Sequence, residues 1–199
     1  MEAIDLMLTR RSVKPDAMVE PGPDDAELEM ILRAATRVPD HGKLTPWRIH
    51  VLDKDAQGRF GDFLGDLYQR LIPEANERQV DFERQKPQQA PLLLIVVTDI
   101  QPPKKIPEIE QTLSGGAVCY GLLMASHALG FGAQWLTGWP AYRAEVVQYL
   151  GHDPDKDKVL GLIYVGSVAE APEDRPRPAL DAVVVRSTGQ ETGGGAAGP

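Results

Sequence analysis

A chain of 199 residues, 42% apolar and 25% charged, can bury one real core or two small ones. Its 21 basic and 29 acidic residues leave a net charge of -8, which argues against nucleic acid or an anionic membrane as partner, since either needs a dense basic face. A single cysteine, Cys119, excludes an intramolecular disulfide and a cysteine-based metal cluster, and the four histidines are too widely spaced for the usual zinc patterns.

No run reaches the ~18 apolar residues of a membrane span. The start, Met-Glu-Ala-Ile-Asp, is acidic where a signal peptide is basic. A cytoplasmic protein is expected.

In chain order, Glu2 to Thr9 reads as a short helix with Ile4, Leu6, Met7 and Leu8 on its apolar side, stopped by Pro15. Arg10 and Arg11 at its end complement the helix dipole. With Ser12 they also make a donor set suited to a phosphate, two guanidinium groups and a hydroxyl. Asp24-Asp25 open a second helix running to about Arg37. The stretch Val38-Pro39-Asp40-His41-Gly42-Lys43-Leu44-Thr45-Pro46-Trp47 follows, bracketed by prolines and crowded with polar groups, as functional loops are. Trp47 to Leu52 alternates like a strand. Residues 55 to 84 read as a broken helical excursion interrupted by Pro73, either a lid or a plain surface helix pair.

Leu92 to Thr98 is a continuous apolar run, a strand buried on both faces. Glu108 to Leu129 is the longest helix, with Gly130 as its C-cap. Ser114, Ala117, Gly121 and Ala125 put small residues on one of its faces. Each glycine inside a helix costs ~1 kcal/mol, so close approach of a backbone or a flat ring should offset it. Phe131 to Leu136 reads as a strand, Thr137 to Pro140 as a tight turn into a helix ending near Leu150, and Val159 to Val165 as a strand ended by Gly166. Ala182 to Val185 reads as a lone apolar strand that needs an edge elsewhere. Residues 187–199 are low-complexity and expected to be disordered, leaving 1–186 as one domain. The order of elements favours an α+β fold, a mostly antiparallel sheet packed on a central helix.

Nucleotide-binding glycine motifs, a serine elbow and a Cys-His pair are all missing from the sequence. Chemistry, if present, belongs to a cofactor. Arg10, Arg11, Ser12, Arg175 and Arg177 then form a possible phosphate cradle.

Four motifs in order carry a resemblance. Arg10-Arg11-Ser12 after a short helix resembles the start of the FMN-dependent nitroreductase family. Pro39 to Trp47 resembles that family's Pro-Ser-Ser-x-Asn-x-Gln-Pro-Trp loop, and a subgroup of NAD(P)H nitroreductases reads Pro-Asp-His-Lys there. Gly130-Phe131-Gly132 before Trp135-Leu136-Thr137-Gly138 is similar as well, as is the ending Arg175 to Val183. The resemblance covers residues 1 to about 186. It implies a homodimer with FMN at the subunit interface and a C-terminal strand exchanged between subunits. Arg10, Arg11, Ser12 and Arg177 would hold the phosphate and ribityl chain, and Leu136, Thr137 and Gly138 would line the ring edge near N5. Arg37 and His41 would reach the flavin from the other subunit.

Lys43 takes the position of the family's asparagine near the pyrimidine edge, where a cation would favour the anionic reduced ring. Lys43 and His41 are also readable as a surface lysine and a loop histidine bonded to Asp40. The implied activity is ping-pong transfer of hydride from NADH or NADPH to a quinone, nitroaromatic or similar electron-poor small-molecule acceptor. Trp139, or a side chain of the 55–84 excursion, would wall the pocket. A flavin-binding dimer that does not turn over is the alternative.

Overall fold

The computed structural model describes residues 2–102, 106–170 and 172–187. Its organising element is the strand that the sequence marks as apolar throughout. Every residue of β3 (Leu92–Thr98) is buried. The strand pairs antiparallel with β2 (Trp47–Leu52) on one side and with β5 (Val159–Val168) on the other; β5 in turn pairs antiparallel with β4 (Gly132–Leu136). A two-residue strand, β1 (Met18–Val19), clips onto Ser167 and Val168. It is too short to leave a periodic signal in the sequence. The α+β class is as expected.

Alternation along β3 divides the core in two. Leu93, Ile95 and Val97 face Phe60, Leu64 and Leu67 of α3 (Lys54–Leu71) and Val146 and Val147 of α6 (Ala144–Tyr149). Leu92, Leu94 and Val96 face Ile31 and Ala35 of α2 (Asp25–Ala35) and Val118, Cys119 and Leu122 of α5 (Glu108–Ala128). Helices therefore cover both faces of the sheet, which explains why β3 lacks any polar alternation. Each of these fully buried aliphatic or aromatic side chains contributes roughly 1.5–3 kcal/mol of transfer free energy. Cys119 belongs to this packing, and burial pushes its thiol up to about 12.

Local signals explain the helix starts. The Asp24 side chain accepts from the Glu27 N–H and Glu27 answers the Asp24 N–H, a reciprocal capping box; Asn76 and Gln79 repeat it ahead of α4 (Glu77–Gln85). A short α1 (Ala3–Thr9) precedes them, and α5 is capped by Leu129, with Gly130 following at φ +90°.

Three sequence expectations need correction. The 55–84 region is neither a lid nor a peripheral pair, because α3 supplies Phe60, Leu64 and Leu67 to the core. A Cβ at Gly61 would strike the Arg84 carbonyl, so glycine lets α4 close onto α3. The Arg84 guanidinium then reaches Asp62 at 3.3 Å and Asp81 at 2.8 Å. Gly166 does not end β5, which runs on to Val168. It lies opposite Gly132, where a side chain would meet Pro91 and Met18. Leu180 to Ala182 forms a single 3-10 turn and Val184 to Ser187 an exposed irregular segment, so no strand is present at 182–185. The segment pairs with neither of the open sheet edges, β2 and β4. The disorder expected of 187–199 concerns residues that, Ser187 apart, lie outside the described ones.

Candidate functional site

The expected site residues fall into three groups. The first forms where α1 ends. Arg10 is the C-cap residue of α1. The next residues are tied to β4, since the Val13 N–H donates to the Ala133 carbonyl at 3.2 Å. This leaves Arg10, Arg11 and Ser12 half-buried beside the start of β4. The extended segment before Leu180 returns to the same place. The Arg11 Nε donates to the Glu173 carbonyl at 2.9 Å, and Asp174 lies 3.8 Å from Arg11 and 3.5 Å from Arg177. Arg177 Nη2 is 3.5 Å from the Arg10 carbonyl. Arg10, Arg11, Ser12 and Arg177 thus lie near one another, with the Asp174 carboxylate beside the guanidinium groups of Arg11 and Arg177. Arg175 is exposed.

Within this group Arg10 is unusual. Its Nη1 is buried and has no hydrogen-bond partner among the described residues. The side chain borders a cavity of about 300 Å³ that Thr9, Arg11, Phe131, Gly132 and His127 also line. A buried guanidinium N–H without an acceptor costs roughly 1–3 kcal/mol or more, and an anion in the cavity would satisfy it.

His127, on the last turn of α5, escaped the sequence reading. Its Nε2 is likewise buried without a partner among the described residues. Its pKa is lowered, first by burial and then by the Arg10 charge. A histidine at a helix C-terminus reads as a dipole complement, so only the folded neighbourhood of Arg10 singles it out.

The second group stands at the other end of β4. The strand crosses from Ala133, beside the arginines, to Leu136, a span of about 10 Å. Leu136 is partly exposed, Thr137 is half-buried, and Gly138 has φ +61° and ψ −175°, a conformation almost reserved for glycine. Tyr142 Oη lies 3.2 Å from Thr137 Oγ1 and closes the turn over itself. The turn leaves Leu136 and Gly138 exposed at the end of β4.

The third group is the Pro39–Trp47 loop. Asp40 organises it: its carboxylate accepts the N–H groups of Thr45 at 2.8 Å and Leu44 at 3.2 Å. Gly42, Lys43 and Thr45 all have positive φ. His41 does not bond Asp40. Its Nδ1 pairs instead with Glu110 of α5 at 2.7 Å, because Asp40 already serves the backbone. Ser114 fastens the loop to α5, donating to the Pro39 carbonyl at 2.8 Å and accepting from Trp47 Nε1 at 3.2 Å. Lys43 and Arg37 are exposed. The loop sits at the start of α5 and the arginine cluster at its end, about 25 Å apart along the helix. One chain therefore does not bring His41 and Lys43 to the arginine cluster.

The small face of α5 has a backbone partner. A Cβ on Gly121 would lie 2.8 Å from the Ala35 carbonyl oxygen, so α2 occupies that approach.

Comparison with known proteins bears on the family and the fold of the chain. The nitroreductase family model matches residues 7–167. "Putative NAD(P)H nitroreductase YdjA" of Escherichia coli K12 is 32% identical over 167 residues, 84% of this chain and 88% of that protein. A Haemophilus influenzae relative carrying the same functional name is 32% identical over 176 residues, 87% of this chain and 92% of its own. Among solved structures, a nitroreductase-like protein from Bacillus cereus superposes with a TM-score of 0.80 at 16% identity, covering 95% of this chain and 97% of that one. A Desulfovibrio desulfuricans protein in complex with FMN gives 0.68 at 19% identity, with coverage of 94% and 97%.

Proposed function

Since the chain belongs to the nitroreductase family, we propose that it is an FMN-dependent NAD(P)H oxidoreductase working as a homodimer. The observation that carries this reading is the arginine cluster. Arg177 and the Glu173–Asp174 segment close on Arg10 and Arg11, and the Arg10 Nη1 is buried with no acceptor among the described residues. A phosphate would supply the acceptor that Arg10 lacks.

In this reading Arg10, Arg11, Ser12 and Arg177 hold the phosphate and ribityl chain, and Leu136, Thr137 and Gly138 meet the ring edge. Arg37 and His41 belong to the site of the other subunit, and Lys43 faces the pyrimidine edge. The distance between the two ends of α5 fits a site shared across a two-fold axis. So does the apolar surface: Ile109, Leu113 and Tyr120 line the outer face of α5, with Ile4 and Leu8 of α1 also exposed. Leu180, Val183 and Val185 are exposed too, apolar groups that a partner's edge would cover.

When bound, FMN would supply the redox chemistry, two-electron transfer from NADH or NADPH to a quinone, nitroaromatic or similar acceptor. The protein's share is orientation, water exclusion and charge. Asp40 and Ser114 keep the loop that presents Lys43 in a fixed shape, and Gly138 keeps the ring-edge turn open.

Titration with FMN, read by quenching of flavin fluorescence, tests the reading. The wild-type protein takes up FMN, and Arg10→Ala weakens it by about tenfold or more, the worth of one charged hydrogen bond. Lys43→Met leaves uptake closer to wild type and lowers the midpoint potential of the bound flavin. A wild-type protein that takes up no FMN would overturn the assignment.

A further inference from the structure

Glu83 is a buried carboxylate with no part in the site as described so far. It lies on α4 with 6% of its surface exposed. One oxygen accepts from Lys86 Nζ at 2.6 Å and the other from the indole Nε1–H of Trp139 at 2.8 Å. Trp139 directly follows Gly138, and its ring also lies 5.7 Å from that of Tyr68 on α3. A third neighbour is Tyr164 of β5, buried at 4% exposure. Its phenol is held in the neutral form by burial first and by the Glu83 charge second.

We infer that Glu83 is a positioning residue for the ring-edge turn: through Trp139 it fixes Leu136–Gly138 where the flavin binds. The inference rests on the FMN reading above. Two things set that turn. Gly138 permits its backbone conformation (φ +61°, ψ −175°) but does not select it, because glycine is equally free to leave. Selection needs an anchor on the far side. Pro140 and Ala141 are buried beyond it, and Trp139 is pinned by a charged acceptor. Hydrogen bonds to ionised groups are roughly twice as strong as neutral ones.

A buried carboxylate is costly to keep unless its partners are good, and α3 and α4 supply the frame that holds this one. Arg84, the next residue, locks that frame by ion pairs to Asp62 and Asp81. The helical hairpin thereby acquires a role in the site: it carries the carboxylate that sets the turn. The Trp139 N–H is committed to Glu83, which fixes where the indole ring stands.

Glu83→Leu, Glu83→Gln and Trp139→Phe test this, each compared with Arg10→Ala at the phosphate end. The readouts are FMN affinity, the visible bands and midpoint potential of the bound flavin, and thermal stability. Glu83→Leu and Trp139→Phe should each weaken FMN by about tenfold and shift the bands and potential in the same direction. The double variant should be no weaker than the worse single one, because both remove the same hydrogen bond. Glu83→Gln keeps an acceptor for Trp139 and should return most of the affinity. Arg10→Ala should weaken FMN without moving the bands.

If Glu83→Leu does not fold, Trp139→Phe decides, since it leaves the Glu83–Lys86 pair intact. Variants that fold with wild-type FMN affinity, bands and potential, or that lose only thermal stability, would overturn the positioning role and leave the FMN reading standing. A wild-type protein without FMN uptake would overturn that reading, and the inference with it.

Discussion

His50 of β2 and His152 ahead of β5 face each other with their Nε2 atoms 2.9 Å apart. One must donate and the other accept, so the pair cannot be doubly protonated without losing the bond. Burial lowers the His50 pKa, and the charge of His152 lowers it further. The His152 Nδ1 is 3.9 Å from Asp157, whose carboxylate is already engaged by the Ile100 and Asp153 N–H groups; Arg59 and Tyr149 line the adjoining cavity. Because the folded pKa lies below the unfolded value of about 6.5, the unfolded chain binds more protons in the window beneath it. Stability is therefore full above about pH 6.5 and declines as pH falls through that window. His127 acts in the same direction. Urea midpoints measured from pH 7.5 to 5 should fall less steeply in His50→Asn than in wild type. Parallel curves would show that His50 contributes nothing to the slope.

At the scale of elements, packing decides what the small residues of α5 are for. Gly121 admits α2, with Ala35 Cα only 2.9 Å from where a Cβ would stand. Gly121→Val should therefore force two core helices apart and cost about 1–3 kcal/mol, read as a lower urea midpoint at unchanged slope. A variant as stable as wild type would mean that the α2–α5 contact yields easily. The helix itself was legible from its length and cap, and its demand for a close neighbour followed from the glycines. Which neighbour was not legible, because a backbone and a ring leave the same mark on a sequence. The same limit applies to Gly166, where a glycine that admits Pro91 reads as a strand end. β2 and β3, each defined by its own apolar pattern, matched their expected bounds.

For the molecule as a whole, the local parts of the candidate site could be read from sequence and the long-range ones could not. Arg10-Arg11-Ser12 and the Gly138 turn are contiguous motifs, visible in the chain. His127 and Glu83 matter through residues more than fifty positions away, and nothing in their own surroundings marks them. The C-terminal segment depends on longer-range structure still. Apolar and exposed in one chain, it makes physical sense against a second copy. Removing residues 180–199 should weaken the dimer and lower FMN content together, seen by sedimentation velocity at the visible flavin band. A truncated protein that stays dimeric with full flavin would contradict the exchange.

The central claim is that a flavin is held here and turns over. The most direct test is the absorbance spectrum of the purified protein, followed by anaerobic addition of NADPH, then NADH, then a quinone. The flavin bands should bleach with a nicotinamide donor within seconds and return with the quinone. Bands that neither donor reduces would leave a flavin-binding dimer without turnover. A colourless protein that takes up no added FMN would show that no flavin is held here.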